Sequence, residues 1–103
     1  MNTFMIGYDL NKPRGQNDYD NLHDAIKKIS GYYWHYLDST WLVKSSKDAG
    51  GIRDYLKPYL DSGDELLVVV LGANWASTGF DKEATDWLYA NMPKTANAYQ
   101  YRM

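Results

Sequence analysis

Two apolar segments of strand length, each next to a helical pattern, constrain the fold of this chain most strongly. Residues 3–10 and 65–71 have the length and composition of buried strands. The predicted elements are, in order, a strand at 3–10, a helix at 18–30, strands at 32–37 and 40–44, a helix opening at Ser45 or Ser46, and a strand at 65–71. This order predicts an α+β, ferredoxin-like split βαβ fold (βαββαβ), in which two helices cover one face of an antiparallel sheet.

Two segments extend this βαββαβ unit. A third helix is predicted at about residues 81–91, and the alternation of residues 98–103 predicts a short edge strand. We expect residues 65–71 to lie centrally in the sheet, and residues 38–39 to form a bend or a hairpin turn. The 103 residues suffice for a single domain, 1–103. The other face of the sheet then needs a cover, for which a second copy of the chain is the simplest candidate.

Composition narrows the classes of partner. Eleven Lys and Arg against thirteen Asp and Glu give a net charge of −2, so no long-range positive field attracts nucleic acid or anionic membrane. The absence of cysteine excludes disulfides, thiolate metal sites and cysteine nucleophiles. No apolar stretch approaches the roughly 20 residues of a membrane span, so we expect a soluble, cytoplasmic protein without a membrane partner. Ten Tyr and four Trp favour half-buried faces, interfaces and ligand-stacking surfaces.

An aspartate ends the first predicted strand and precedes a polar loop. Asp9 can bind Mg²⁺ or Mn²⁺ and thereby activate water, or it can cap the amide groups of the loop as in an Asx turn. The loop at residues 11–17 presents Asn11, Lys12 and Arg14 at the start of a predicted helix, which suits a phosphate or another anion. A solvated turn is the alternative reading of this loop.

The two histidines differ in their surroundings. His35 lies in an aromatic strand near Ser39 and Thr40, where it can donate to a phosphate or act as an acid or base. His23 lies between core positions of the first predicted helix and is expected to be structural. Ser39, His35 and Asp38 are not expected to form a catalytic triad, because residues this close on one strand cannot adopt its geometry.

Three aromatic side chains are candidates for contact with a ligand. Trp34 and Tyr36 can stack on nucleic-acid bases, although packing in the core or in a dimer is the alternative for such strand residues. Trp75 belongs to the predicted loop at residues 72–79, where no regular element requires an indole. We expect Trp75 to act as a lid or partner contact, with packing of its loop onto the core as the alternative.

Several of these segments together resemble the CRISPR-associated protein 2 type of ferredoxin-like proteins. The resemblance rests on residues 5–10 (MIGYDL), residues 34–41 (WHYLDSTW) and the apolar fourth strand, and it covers about residues 3–71. It is most specific toward a SinR-like branch of short bacterial and phage proteins, and virulence-associated protein D toxins share the fold. The resemblance implies a homodimer with face-to-face sheets, in which residues 98–103 cross to the partner and two copies of Asp9 hold one divalent cation.

These observations lead to one expected function and two alternatives. We expect a homodimer that binds a nucleotide or short oligonucleotide without turnover, with aromatic rings stacked on the bases and Lys12 and Arg14 on the phosphates. The first alternative is a metal-dependent endonuclease, on RNA, that uses Asp9 from each subunit, as some members of the resembled family do. The second alternative is a structural adaptor that binds another protein through its sheet edge and the Trp75 loop.

Overall fold

The computed structural model describes residues 1–11 and 16–94, with side chains described for residues 1–11 and 19–94. Within these residues the strands are β1 (Asn2–Asp9), β2 (Trp34–Leu37), β3 (Thr40–Ser45) and β4 (Glu65–Val70). The helices are α1 (Gln16–Ile29), α2 (Ala49–Leu56) and α3 (Lys82–Asn91), and a 3₁₀ turn at Lys57–Tyr59 follows α2. The predicted edge strand at residues 98–103 lies outside the described residues.

The strands form one antiparallel sheet in the order β2-β3-β1-β4. The α+β class is therefore confirmed, and the element order fits a split βαβ arrangement. Among residues 1–11 and 16–94, β1 and β3 occupy the two interior positions of the sheet and β4 pairs only with β1, so the central position expected for the fourth strand is not found within these residues. Leu67 and Val70 of β4 are consequently 59% and 52% exposed.

The first hydrophobic core lies between one face of the sheet and the helices α1 and α2. Alternation along β1 and β3 points every second side chain into this core, and the helices add residues spaced three or four apart. Its buried members are Phe4, Ile6, Leu22, Ala25, Ile26, Trp41, Val43, Ile52 and Leu56. Helix α1 lies beside β3 and α2 beside β4, so each helix covers a different half of this face.

The helix starts follow their capping residues. Helix α2 begins at Ala49 rather than after Ser45 or Ser46, because β3 extends through Ser45 and Asp48 provides the cap. The Asp48 carboxylate accepts a hydrogen bond from the Gly51 amide at 2.7 Å. Asp81 caps α3 in the same way, and the structure confirms the first and third predicted helices to within about two residues, as is usual for helix ends.

Residues 38–39 form the turn of a β-hairpin that joins β2 to β3. Leu37 is paired with Thr40, and Ser39 has the left-handed φ of 54° that such a tight turn uses. The carbonyl of Ser39 accepts a hydrogen bond from the Tyr8 amide at 3.1 Å, which ties the turn to β1. The pairing register shifts between Trp34 and Leu37, so a hairpin and a strand irregularity occur together.

A second hydrophobic core lies on the opposite face of the sheet, beneath α3. Its buried members are Trp34, Leu42, Ala84, Trp87, Leu88 and Met92. The Trp34 indole N–H donates to the carbonyl of Ala84 at 3.2 Å. At the other end of the helix, the Thr3 hydroxyl donates to the carbonyl of Asn91 at 2.6 Å. Part of the face that was expected to be uncovered is therefore covered by the chain's own third helix.

Helix α3 leaves the other end of this second face open. Gly7 of β1 pairs with Thr40 on one side and with Leu67 on the other, and all three lie on the α3 side of the sheet beyond the helix. We refer to Gly7, Thr40 and Leu67 as the open sheet end. Separately, no helix within residues 1–11 and 16–94 is long and apolar enough to cross a membrane.

The docking of α3 generates a prediction about stability. Trp34→Ala removes a side chain that is 2% exposed and its hydrogen bond to α3, so we expect a loss of about 3 to 5 kcal/mol. Tyr36→Ala, two residues along the same strand and 42% exposed, should cost about 1 kcal/mol or less. Urea denaturation measures both values. Equal losses for the two variants would contradict the anchoring role of Trp34.

Candidate functional site

Asp9 lies exposed at the end of β1, on the same side of the sheet as the open sheet end. It is paired directly with Glu65 of β4, so two carboxylates are adjacent on neighbouring strands. Asn11 follows, and its amide groups donate to the carboxylates of Asp64 and Glu65 at 3.1 and 3.2 Å and to the carbonyl of Gly63. Asn11 thus fastens the end of β1 to the turn before β4.

The predicted anion-binding loop lies mostly outside the described residues. Lys12 and Arg14 belong to this undescribed segment, so their predicted roles stay predictions. Of the loop's predicted ligand groups, only Asn11 is described, and its side chain is engaged by the turn before β4. No group of three or more His, Cys, Asp or Glu within the described residues is arranged to hold a metal ion.

The predicted aromatic ligand contacts separate into buried and exposed residues. Trp34 is buried beneath α3 and belongs to the second core. Trp75 packs against the same core, with its ring centroid 5.4 Å from that of Tyr89, which matches the alternative reading of its loop. Tyr36 is exposed, and its ring packs against that of Trp34 with the centroids 5.3 Å apart. Ser39 is exposed in the hairpin turn, and Thr40 belongs to the open sheet end.

A different group of residues comes together on the α1 side of the sheet. His23 of α1 lies over β1, where its Nε2 atom is 2.7 Å from the Tyr8 hydroxyl oxygen. The Trp41 indole N–H donates to the same oxygen at 3.4 Å. Because an indole N–H can only donate, the Tyr8 oxygen accepts from Trp41 and the Tyr8 proton is free to bond with neutral His23. This assignment leaves His23 protonated on Nδ1.

His35 completes this group from the edge strand β2. Its ring stacks on that of Trp41, with centroids 3.7 Å apart and planes inclined by 12°. The His23 and His35 ring centroids are 5.6 Å apart. We refer to Tyr8, His23, His35 and Trp41 as the imidazole cluster. Two imidazoles that are 12 residues apart in sequence therefore share one site, held by a tyrosine and a tryptophan of the first core.

Further side chains surround the imidazole cluster. Tyr19 and Lys27 of α1 lie one turn before and one turn after His23, on the same side of the helix. The Lys27 ammonium is 5.8 Å from the centroid of the Tyr33 ring, and Tyr33 in turn packs against Trp41. Tyr19 and Tyr33 are each partly exposed, whereas Lys27 is exposed. The cluster thus lies beside partly exposed aromatic rings and the exposed Lys27 ammonium group.

The environment favours neutral imidazoles. Burial, followed by the nearby Lys27 charge, lowers the pKa of His23 below its usual value. Burial lowers the pKa of His35 as well, and the neighbouring His23 is the second cause. Burial raises the pKa of the Tyr8 hydroxyl, which therefore keeps its proton at neutral pH. The cluster at pH 7 presents two uncharged imidazoles that can each accept or pass on a proton.

The sequence predicts a chemical role for His35 and a structural role for His23. The pairing of the two depends on how α1 crosses the sheet, which no local pattern shows. One signal was present in the spacing of Tyr19, His23 and Lys27, which places all three on one helix face beside the apolar stripe. The chain as a whole matches no protein-family model, so the site must be interpreted from its own geometry.

The lowered pKa values predict a pH-dependent stability. Because their folded pKa values lie below the ordinary histidine pKa of about 6.5, His23 and His35 bind more protons in the unfolded chain than in the folded chain between those two pKa values. The contribution of His23 and His35 is therefore complete above about pH 6.5 and is lost as the pH falls through their lowered pKa values. We expect the free energy of unfolding in urea to decrease between about pH 7.5 and 5.5. A double His23→Gln, His35→Gln variant should show a smaller decrease, and an equal decrease would contradict this assignment.

Proposed function

We propose that the protein binds a nucleotide or short single-stranded oligonucleotide at the imidazole cluster. One observation carries this proposal: the ring centroids of His23 and His35 are 5.6 Å apart. They lie beside the partly exposed rings of Tyr19 and Tyr33 and the Lys27 ammonium group. Nucleotides combine a flat aromatic base with an anionic phosphate. The cluster offers a partner for each: rings on which a base can stack, and hydrogen-bond donors with a cation for the phosphate.

The aromatic rings support the stacking half of this proposal. Tyr33 and His35 both contact Trp41 from β2 and its preceding loop, and both are partly exposed. Trp41 itself is 1% exposed, so it fixes the rings that lie over it and does not contact a ligand directly. A base can therefore meet rings whose orientation is already set, which lowers the entropic cost of binding. Stacking of this kind tolerates any base sequence.

The charge distribution supports a short ligand rather than a long one. The net charge of −2 gives the chain no long-range positive field that would attract an extended duplex. Lys27 and Lys28 together form the basic last turn of α1, and Lys27 is the one whose charge acts on both imidazoles. One or two phosphates are as much as this local group can hold. A nucleotide or a few linked nucleotides match that capacity.

The stacking role of Tyr33 can be tested directly. Tyr33→Ala is expected to weaken binding of a fluorescently labelled short oligonucleotide by about 1 to 3 kcal/mol, the usual contribution of one stacked base. Tyr89→Ala on α3 removes a ring that is 61% exposed and belongs to the other side of the sheet, so it should leave affinity unchanged. Fluorescence polarisation at fixed salt measures both. Equal affinity of the wild type and Tyr33→Ala would place the ligand elsewhere.

We also propose that the protein is a homodimer and a CRISPR-associated protein 2-like, ferredoxin-fold member. The element order and the aspartate that ends β1 support the family proposal. The open sheet end supports the dimer, because Gly7 and Leu67 leave an apolar sheet surface without a cover among the described residues. Since α3 covers the other end of that face, two copies would meet through the open end alone.

A substitution at the open sheet end tests the dimer. Leu67→Lys places a charge on a side chain that is 59% exposed and centred on the proposed contact, so we expect a monomer. Tyr59→Lys, at a residue that is 40% exposed on the 3₁₀ turn after α2, should leave the dimer intact. Light scattering coupled to size exclusion measures the mass of each. A monomeric wild type at micromolar concentration would exclude the dimer.

Metal-dependent cleavage is the second candidate function, favoured by the pairing of Asp9 with Glu65. In a dimer formed through the open sheet end, which lies next to this pair, each protomer would supply two adjacent carboxylates. Carboxylate oxygens are the ligands that Mg²⁺ and Mn²⁺ prefer. This candidate differs from the first in two measurable ways: it needs a free divalent cation, and it depends on Asp9 rather than on the imidazole cluster.

A further inference from the structure

We infer that the imidazole cluster cleaves RNA without a metal ion, with His35 as the general base and His23 as the general acid. This inference rests on the proposed binding of a short oligonucleotide at the cluster. It goes beyond that proposal by assigning a reaction, a substrate class and two catalytic residues. The substrate must be RNA rather than DNA, because the nucleophile is the ribose 2′-hydroxyl.

The two rings are placed to work as a pair. With centroids 5.6 Å apart, one imidazole can reach the attacking oxygen of a bound phosphodiester while the other reaches the leaving oxygen. Two imidazolium ions at this separation would repel each other, so the pair gains its protons in two distinct steps. Between those steps the pair carries a single proton. That state holds one base and one acid at the same time.

The surroundings assign a role to each histidine. The ring nitrogens of His35 have no hydrogen bond to any described residue, and stacking on Trp41 leaves the ring edge free to accept a proton. The Nε2 atom of His23 faces the Tyr8 oxygen at 2.7 Å. That oxygen can accept the Nε2 proton of a charged His23, which leaves Nδ1–H directed away from Tyr8 as the acid. Tyr8 is therefore a positioning residue for His23.

The reaction balances without any further reagent. His35 removes the proton of the 2′-hydroxyl as the 2′-oxygen forms a bond to phosphorus. The bond from phosphorus to the 5′-oxygen breaks, and His23 transfers its proton to that oxygen. The products are a 2′,3′-cyclic phosphate and a free 5′-hydroxyl. Exchange with water removes the proton from His35 and returns one to His23, and the Lys27 ammonium stabilises the charge on the phosphoryl oxygens during the transfer.

The rate should have a bell-shaped dependence on pH, because the active form carries one proton on the pair. Among the residues whose side chains are described, the charged and titratable groups that face the two rings are on α1, on β1 and in the hairpin turn: Tyr19, Asp20, Asp24, Lys27, Tyr8 and Asp38. Burial lowers the pKa of both histidines, so the maximum is expected on the acidic side of neutrality. Tyr8→Phe should displace this maximum while leaving the cleavage products unchanged.

The test uses the full chain with a short labelled RNA in the presence of EDTA, with the products identified by mass. We expect a 2′,3′-cyclic phosphate, and a rate that falls by about 10² to 10⁴-fold in His23→Gln and in His35→Gln. Thermal unfolding of both variants verifies that they fold. Lys82→Gln on α3, at an exposed lysine on the other side of the sheet, is the matched control and should retain the wild-type rate. Loss of the rate in the two histidine variants, purified by the same procedure, excludes a contaminating ribonuclease.

A second oligonucleotide, with 2′-deoxyribose throughout, separates binding from cleavage. If this DNA binds and the RNA binds but stays intact, the inference is wrong and the proposed function stands. If neither oligonucleotide binds and no cleavage occurs, both are wrong. Cleavage that EDTA abolishes and that Asp9→Asn removes would also overturn the inference, in favour of the carboxylates at the open sheet end. EDTA-resistant cleavage that persists in both histidine variants would likewise overturn it.

Discussion

The pairing of β1 with strands on both of its sides is the interaction on which the rest of the structure depends. Its backbone is hydrogen-bonded to β3 along one edge and to β4 along the other. Its side chains alternate between two cores: Phe4 and Ile6 lie under α1 and α2, while Met5 contacts the core under α3. Tyr8 extends the first series, and its hydroxyl positions His23. One strand thus holds the sheet together, separates the two cores and sets the geometry of the candidate site.

Much of the fold could be predicted from the sequence because its signals are local. Apolar periodicity locates the helices, although Ser45 and Ser46 are a misleading signal for the start of α2, which Asp48 caps. The two residues between the aromatic strand and the Trp41 strand indicate a turn or a bend. The position of β4 could not be predicted in this way. Its unbroken apolar run indicates a central strand, yet Leu66 and Val68 are only partly buried against the first core, and Leu67 and Val69 on the other face are exposed. Which strand lies at an edge is decided by long-range pairing, which residue types report only weakly.

The candidate site was less predictable than the fold. Asp9 and the loop after it are conspicuous in the sequence, because an acid at the end of an apolar strand is a local anomaly. His23 gave no such signal, since a histidine between Leu22 and Ile26 fits an ordinary helix. The contact between His23 and His35 forms only because α1 packs on β3 at a particular position along that strand. Trp34 is the opposite case: its sequence position fits either a stacking surface or a core, and the docking of α3 makes Trp34 part of the second core.

The arrangement of two cores on one sheet has a consequence for the order in which the chain can fold during synthesis. The buried members of the first core come from residues 4–56, whereas the second core cannot close until residues 84–92 have been made. Chains emerge from the ribosome N-terminus first. Until then, Trp34, Leu42 and Met5 have no α3 against which to pack. A nascent chain at that stage therefore lacks the helix that covers this apolar surface, and the docking of α3 later buries it.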